Sequence, residues 1–228
     1  MATIHGVAGE WARVKGTVFG LWPLFICIFA AGFSLAFWVF GSAGWGASLF
    51  TVAIVAAGFM TGVGLRRVER FFKGARGEER VSGILRGLPS RYHVFNDFVA
   101  EGVHVDHVVV GPAGVFSIET KNWRGEGTVE EGHILVDGQL PSRPPLAQTI
   151  KEASLVKSAL AKAGWKGTVT PVLAFASDTF RAHCAELPNA AGTVIINACD
   201  LAKSFDTDSV VIPPAELDRL VSLMENIE

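Results

Sequence analysis

The sequence predicts two parts: an apolar helical hairpin of membrane-spanning length, then an α/β domain built on a mixed sheet flanked by helices. Three observations lead there. No charged residue occurs from Gly16 to Leu65. Beyond residue 73, apolar residues recur alternately at strand spacing and at helix spacing. The charge also changes sign: residues 1–73 carry six basic and two acidic side chains (+4), residues 74–228 fourteen basic and twenty acidic (−6). The chain thus divides into 1–73, a membrane hairpin with basic flanks, and 74–228, a globular domain long enough for one core.

The first predicted helix covers 17–40 and the second 47–65, each near the length that crosses the hydrocarbon of a bilayer. Gly41 to Gly46 forms the turn, and Trp45 suits an interface. Pro23 is placed to kink the first helix. Arg13 and Lys15 precede the hairpin, and Arg66, Arg67, Arg70 and Lys73 follow it, so both termini are expected in the cytoplasm, with lipid around the hairpin. A cleaved signal peptide is the competing reading; the apolar run is long for one, Glu10 lies in the leader, and no small-residue cleavage site is evident. A hairpin buried in a soluble core is the other, disfavoured because two such long uncharged runs are rare there. Gly32, Ser34, Ala36, Ala43, Ala53, Ala56, Ala57 and Gly58 would let the helices pack closely. Cys27, Cys184 and Cys199 match no metal-ligand spacing, and so sparse a set fits a reducing compartment.

In the second part, Glu69 to Lys73 reads as a short charged linker. Gly77 to Leu88 reads as an amphipathic helix with Val81, Ile84, Leu85 and Leu88 on one face, stopped by Pro89. Strands follow at Tyr92–Val99, His104–Val110 and Val115–Lys121; the last two are joined by the turn Gly111 to Gly114 into an antiparallel hairpin. Gly127 to Val136 reads as a small polar hairpin with Gly132 and Gly138 as turn marks. Pro144-Pro145 opens a helix to about Ala163, strands follow at Thr168–Ala176 and Gly192–Asn197, and Asp200–Phe205 is a helical turn. Pro213-Pro214 opens the last helix, through Met224.

Asp106 interrupts a valine-rich strand, and Glu119 and Lys121 stand two apart on the next, so they share a face. An acid on such a buried strand is costly unless it is paired or holds a metal. A divalent cation with oxygen ligands, Mg²⁺ (or Mn²⁺), accounts for both acids; one lysine cannot neutralise two. The plainer reading is a buried salt bridge from Lys121 to one of them.

Four ordered segments resemble the nuclease-related (NERD) domain: Gly74 to Val81, Val105 to Phe116, Ile118 to Asn122, and Pro145 to Gln148. That family is similar to the restriction-endonuclease-like nucleases with a D…ExK core, and the resemblance spans about residues 74–160. It implies a restriction-endonuclease-like mixed sheet and metal-dependent phosphodiester hydrolysis of nucleic acid, DNA ahead of RNA. Asp106 and Glu119 then resemble the metal-binding acids, Lys121 the catalytic lysine, Glu78 an accessory acid, and Gln148 a polar residue orienting substrate or water. No proline precedes Asp106, a departure from the wider superfamily pattern. The alternatives are a catalytically inactive nucleic-acid-binding domain, which the negative charge of 74–228 keeps open, and a membrane scaffold. His107, neighbour to Asp106, points to the opposite face and reads as structural, as do His93, His104 and His133. Glu78 reads equally as a helix-start acid and Gln148 as a surface residue. Trp123 and Arg124 read as surface packing or a grip on a strand. Lys151, Lys157, Lys162 and Lys166 read as a solvated helix side.

Overall fold

A computed structural model describes residues 1–41, 43–130, 133–182, 192–205 and 210–227. Ser42 of the expected turn, the turn mark Gly132 and Cys184 lie outside the described residues. Two compact units form, Glu10–Ala75 and a second containing Met1–Gly9 with Arg76–Glu228.

The first unit holds α1 (Glu10–Phe40) and most of α2 (Ala43–Leu85). Both helices are long and apolar enough to cross a membrane, and only 11% of each apolar window is buried. Phe25, Phe29, Phe33 and Phe59 point outward, the reverse of a soluble core helix. Helix α1 runs through Pro23. The helices touch at glycines other than the expected ones: a Cβ on Gly20 would lie 2.3 Å from Val68, and one on Gly64 2.3 Å from the Gly20 carbonyl. Gly32 and Gly58 face open space. Bare backbone at Gly20 and Gly64 is what permits the approach.

Two expectations are corrected. No linker separates the second apolar run from the amphipathic helix; Glu69–Lys73 is helical, and Val81 and Leu85 sit in the last turns of α2. The reason is local: no proline interrupts 66–85, and Arg, Glu, Phe and Lys all tolerate a helix, which continues through Gly74, Gly77 and Gly83. A strand before the hairpin, absent from the sequence reading, is also present: β1 (Thr3–His5) pairs parallel with β2 (His93–Ala100).

The second unit is α/β. Strand β3 (Val103–Gly111) lies antiparallel to β2 and to β4 (Gly114–Lys121). After the small hairpin β5 (Gly125–Glu130) and β6 (His133–Val136) comes α3 (Pro145–Lys162). Then β7 (Val169–Phe175), β8 (Phe180–Ala182), β9 (Val194–Asn197), the single turn α4 (Ala198–Leu201) and α5 (Pro214–Glu225) complete the chain. The main sheet is mixed, six strands in the order β1-β2-β3-β4-β7-β9; β6-β5-β8 form a second, three-stranded sheet. The β4-to-β7 connection is parallel and crosses over through α3. Valine and phenylalanine alternation then sends one set of side chains (Val108, Val110, Val115) against Val156 and Leu160 of α3 and Leu220 of α5. The other set (Val94, Val109, Ile118, Val172) meets Val81 and Leu85 of α2.

Candidate active site

Strand register decides the site. The paired register of β3 and β4 ends at His107–Ile118; Asp106 and Glu119 are the next residue on each strand, close enough for the Glu119 charge to act on the Asp106 carboxyl. The two carboxylates that the sequence singled out therefore lie near each other on adjacent strands. The Thr120 N–H donates to Asp106 Oδ2 at 2.7 Å. Asp106 keeps a partial opening to the surface, while Glu119 is 3% exposed. Crowding by protein atoms, then the negative charges of Glu119 and Glu78, push the Asp106 carboxyl well above the ordinary range; the Thr120 N–H partly opposes this.

Lys121 lies two residues past Glu119 and returns to its carboxylate, forming a direct ion pair. Its ammonium also donates to Gln148 Oε1 at 3.1 Å. The parallel crossover brings this about: α3 begins at Pro145 and packs on β4 and β7, which sets its first turn above the end of β4. Both Lys121 partners are thus residues the sequence had named.

Glu78 reaches the group from α2. A Cβ on Gly77 would stand 2.8 Å from the Asn122 side chain, so the missing side chain there lets α2 close on the end of β4. Burial, then Asp97 and Glu119, raise the Glu78 carboxyl to about 7, against Lys121 and a hydrogen bond from the Gly9 backbone. The Gly9 contact belongs to the segment that follows β1, which is why residues 1–9 cannot be detached from the site.

Two acids were missed by the sequence reading. Glu152, one helical turn beyond Gln148, is 4% exposed and accepts from Gln148 Nε2 at 2.9 Å. Its Oε2 has no donor among the described residues. Burial first, then the adjacent Glu119 carboxylate, raise it to about 9. The signal was present in principle: an acid four residues after Gln148 on a helix whose face also carries Leu146, Thr149, Ala153 and Val156. Asp97 stands between the pairs Asn96–His107 and Phe98–Val105, across from Asp106, with a left-handed φ of 53°. Strand periodicity gives no hint of that backbone, which aspartate is among the few residues to tolerate.

Other expectations resolve plainly. His107 is fully buried on the opposite face, its Nδ1 2.8 Å from Asn96 Oδ1, and desolvation lowers its pKa to about 3. Trp123 packs against Phe175 and Phe180, with ring centroids 5.8 and 5.9 Å away, and so serves a core rather than a bound strand. Arg124 is exposed. The lysines of α3 are solvated, Lys162 reaching Glu101 at 2.8 Å.

Residues 73–176 match the family model of the nuclease-related domain (NERD). The match ends one residue past β7, and it contains every candidate site residue named from the sequence. Comparison with curated proteins and with solved structures returned no match.

Among the described residues, no three His, Cys, Asp or Glu side chains converge closely enough to hold a metal ion. The donor chemistry nevertheless fits a hard divalent cation. Every acid offers oxygen, and Glu152 Oε2 is buried beside Glu119 without a donor. Mg²⁺ characteristically takes one or two carboxylates and keeps several waters.

Proposed function

We propose that this chain is a membrane-anchored phosphodiesterase that hydrolyses nucleic acid with the help of Mg²⁺ or Mn²⁺, DNA being the preferred substrate. One observation carries the reading: within a nuclease-related domain, Lys121 bridges Glu119 and Gln148 while Asp106 on the neighbouring strand lies near enough to Glu119 to feel its charge.

Asp106 and Glu119 are the residues that would hold the cation, and Glu78 lies near enough to feel their charge. A bound divalent ion supplies a more acidic water and stabilises charge developing on phosphorus. Everything else is work for the chain. Lys121 commits hydrogen bonds to Glu119 and Gln148, and a remaining N–H points charge at a phosphate oxygen or holds the attacking water. The Thr120 N–H fixes the Asp106 carboxylate. Raised acids lower the chance that all are ionised at once without a cation, which couples binding of metal to loss of protons. Anchoring is supported by the two outward-facing apolar helices, and the basic residues at both ends of the hairpin favour cytoplasmic termini.

The test is a cleavage assay on single-stranded, duplex and branched DNA and on RNA, with Mg²⁺ or with chelator. It requires the full chain in detergent, because Met1–Gly9 belongs to the globular unit. Cleavage of any of these that disappears with chelator and in Lys121→Ala supports the reading. Absence of cleavage on all substrates with metal present overturns it, and salt-dependent binding without cleavage would instead identify a binding domain.

A further inference from the structure

We propose that Glu152 is a positioning residue for Lys121, acting through Gln148. Its functional meaning rests on the phosphodiesterase reading; its geometry does not. Gln148 and Glu152 are four apart on α3, hence neighbours on one helix face. The Gln148 amide spans the gap between α3 and β4: Nε2 donates to Glu152 Oε1 at 2.9 Å, and Oε1 accepts from Lys121 Nζ at 3.1 Å.

The chemistry of the three groups leaves the amide a single satisfactory orientation. An ammonium only donates, and Glu152 Oε1 accepts here. Turned over, Gln148 would set its NH₂ against the ammonium and lose the Lys121 hydrogen bond. Lys121 thus fixes which atom of Gln148 faces it, and the hydrogen bond to Glu152 anchors the other end of the amide in that orientation. The ammonium is then held from two directions, by Glu119 on its own strand and by Gln148 on α3. With Glu152 gone, Gln148 is free to rotate and only Glu119 restrains the lysine. Glu152 is nine-tenths buried and makes no direct hydrogen bond to Lys121, its contacts being the Gln148 amide and the neighbouring Glu119 carboxyl, so it orients rather than reacts.

The experiment reads Lys121 directly, without substrate or metal. Full-length protein in detergent micelles is acylated with an N-hydroxysuccinimide ester at one alkaline pH, and the Lys121 labelling rate is followed by peptide mass spectrometry, with exposed Lys157 as internal reference. Glu152→Leu should raise Lys121 labelling about 5-fold, the equivalent of one net hydrogen bond. Gln148→Leu should raise it similarly, and the two together should add little more. Glu152→Gln keeps an acceptor oxygen and should remain close to the wild-type rate. If Glu152→Leu does not fold, the exchange Gln148→Glu with Glu152→Gln decides: a carboxylate placed against Lys121 should slow labelling below wild type. Wild-type labelling in Glu152→Leu or in the exchange, or a Glu152→Gln rate equal to that of Glu152→Leu, overturns the proposal. Failure of the two readings is separable. A chain that labels as expected but cuts nothing keeps the positioning role and loses the phosphodiesterase; one that cuts while labelling stays unchanged does the reverse.

Discussion

Asp106 and His107 are neighbours on β3 and face opposite sides of one sheet, with opposite consequences. On the His107 side, the imidazole is fully buried, its Nδ1 bonds to Asn96, its Nε2 has no partner among the described residues, and desolvation holds the ring neutral. Packing accounts for it. On the Asp106 side, Glu119 and Glu152 are buried together, only one lysine answers them, and a carboxyl oxygen is left without a donor. Folding gains nothing from crowding acids in this way; removing such charge is often neutral or stabilising. Burial of a polar group is therefore a poor marker of function by itself. The informative feature is a group of buried acids that the fold leaves without matching cations, so that their carboxyls are pushed toward the protonated form.

The contrast sets the predictions. The largest effect should come from Lys121→Ala, which removes the cation paired with Glu119. Cleavage should fall about 10²–10³-fold, and calorimetric stability should drop as well, while Lys157→Ala on the solvated side of α3 should leave both unchanged. Next, saturating Mg²⁺ should stabilise the metal-free protein by about 3 kcal/mol at a hundred times its dissociation constant. A thermal shift that Asp106→Asn leaves intact would move the cation elsewhere.

The two sides should also have opposite pH slopes. The His107 pKa falls from 6.5 in the open chain to about 3 in the fold. Its contribution is present above 6.5 and is lost as pH falls, by about 2 kcal/mol at pH 5. His107→Gln should flatten that acid limb in denaturant titrations. The Glu78 and Glu152 carboxyls are instead raised from 4.5 to about 7 and about 9. Their contribution is present below 4.5 and is lost as pH rises through those values, so stability on this side should decline toward alkaline pH unless a cation is bound. The smallest effect is expected for Asp106→Asn at neutral pH without metal. It keeps an acceptor for the Thr120 N–H, relieves repulsion from Glu119, and should raise the melting temperature by the equivalent of about 1 kcal/mol. A loss of stability there would make Asp106 a structural acid.

Much of this was legible in sequence because it depends on short-range regularities. A valine-rich run located β3, Pro112 between Gly111 and Gly114 located the turn into β4, and Pro145 located the start of α3. The spacing of Glu119 and Lys121 places them on one face of a strand. Their ion pair, the plainer of the two sequence readings, exists alongside the second acid rather than instead of it. The juncture of α2 was misread because the change from apolar to charged composition resembles a linker, whereas backbone hydrogen bonding is indifferent to that change.

By itself the sequence determined the periodicities, the two apolar helices, and which acids and lysine stand out from their strands. These are properties of residues a few positions apart, and local geometry converts them directly into faces. Only the tertiary structure decided that Thr3–His5 adds an edge to the sheet, that Asp106 comes close to Glu119, and that Glu152 reaches Lys121 through Gln148. Register and helix docking are set by packing between segments tens of residues apart, and no local pattern encodes which of them will meet.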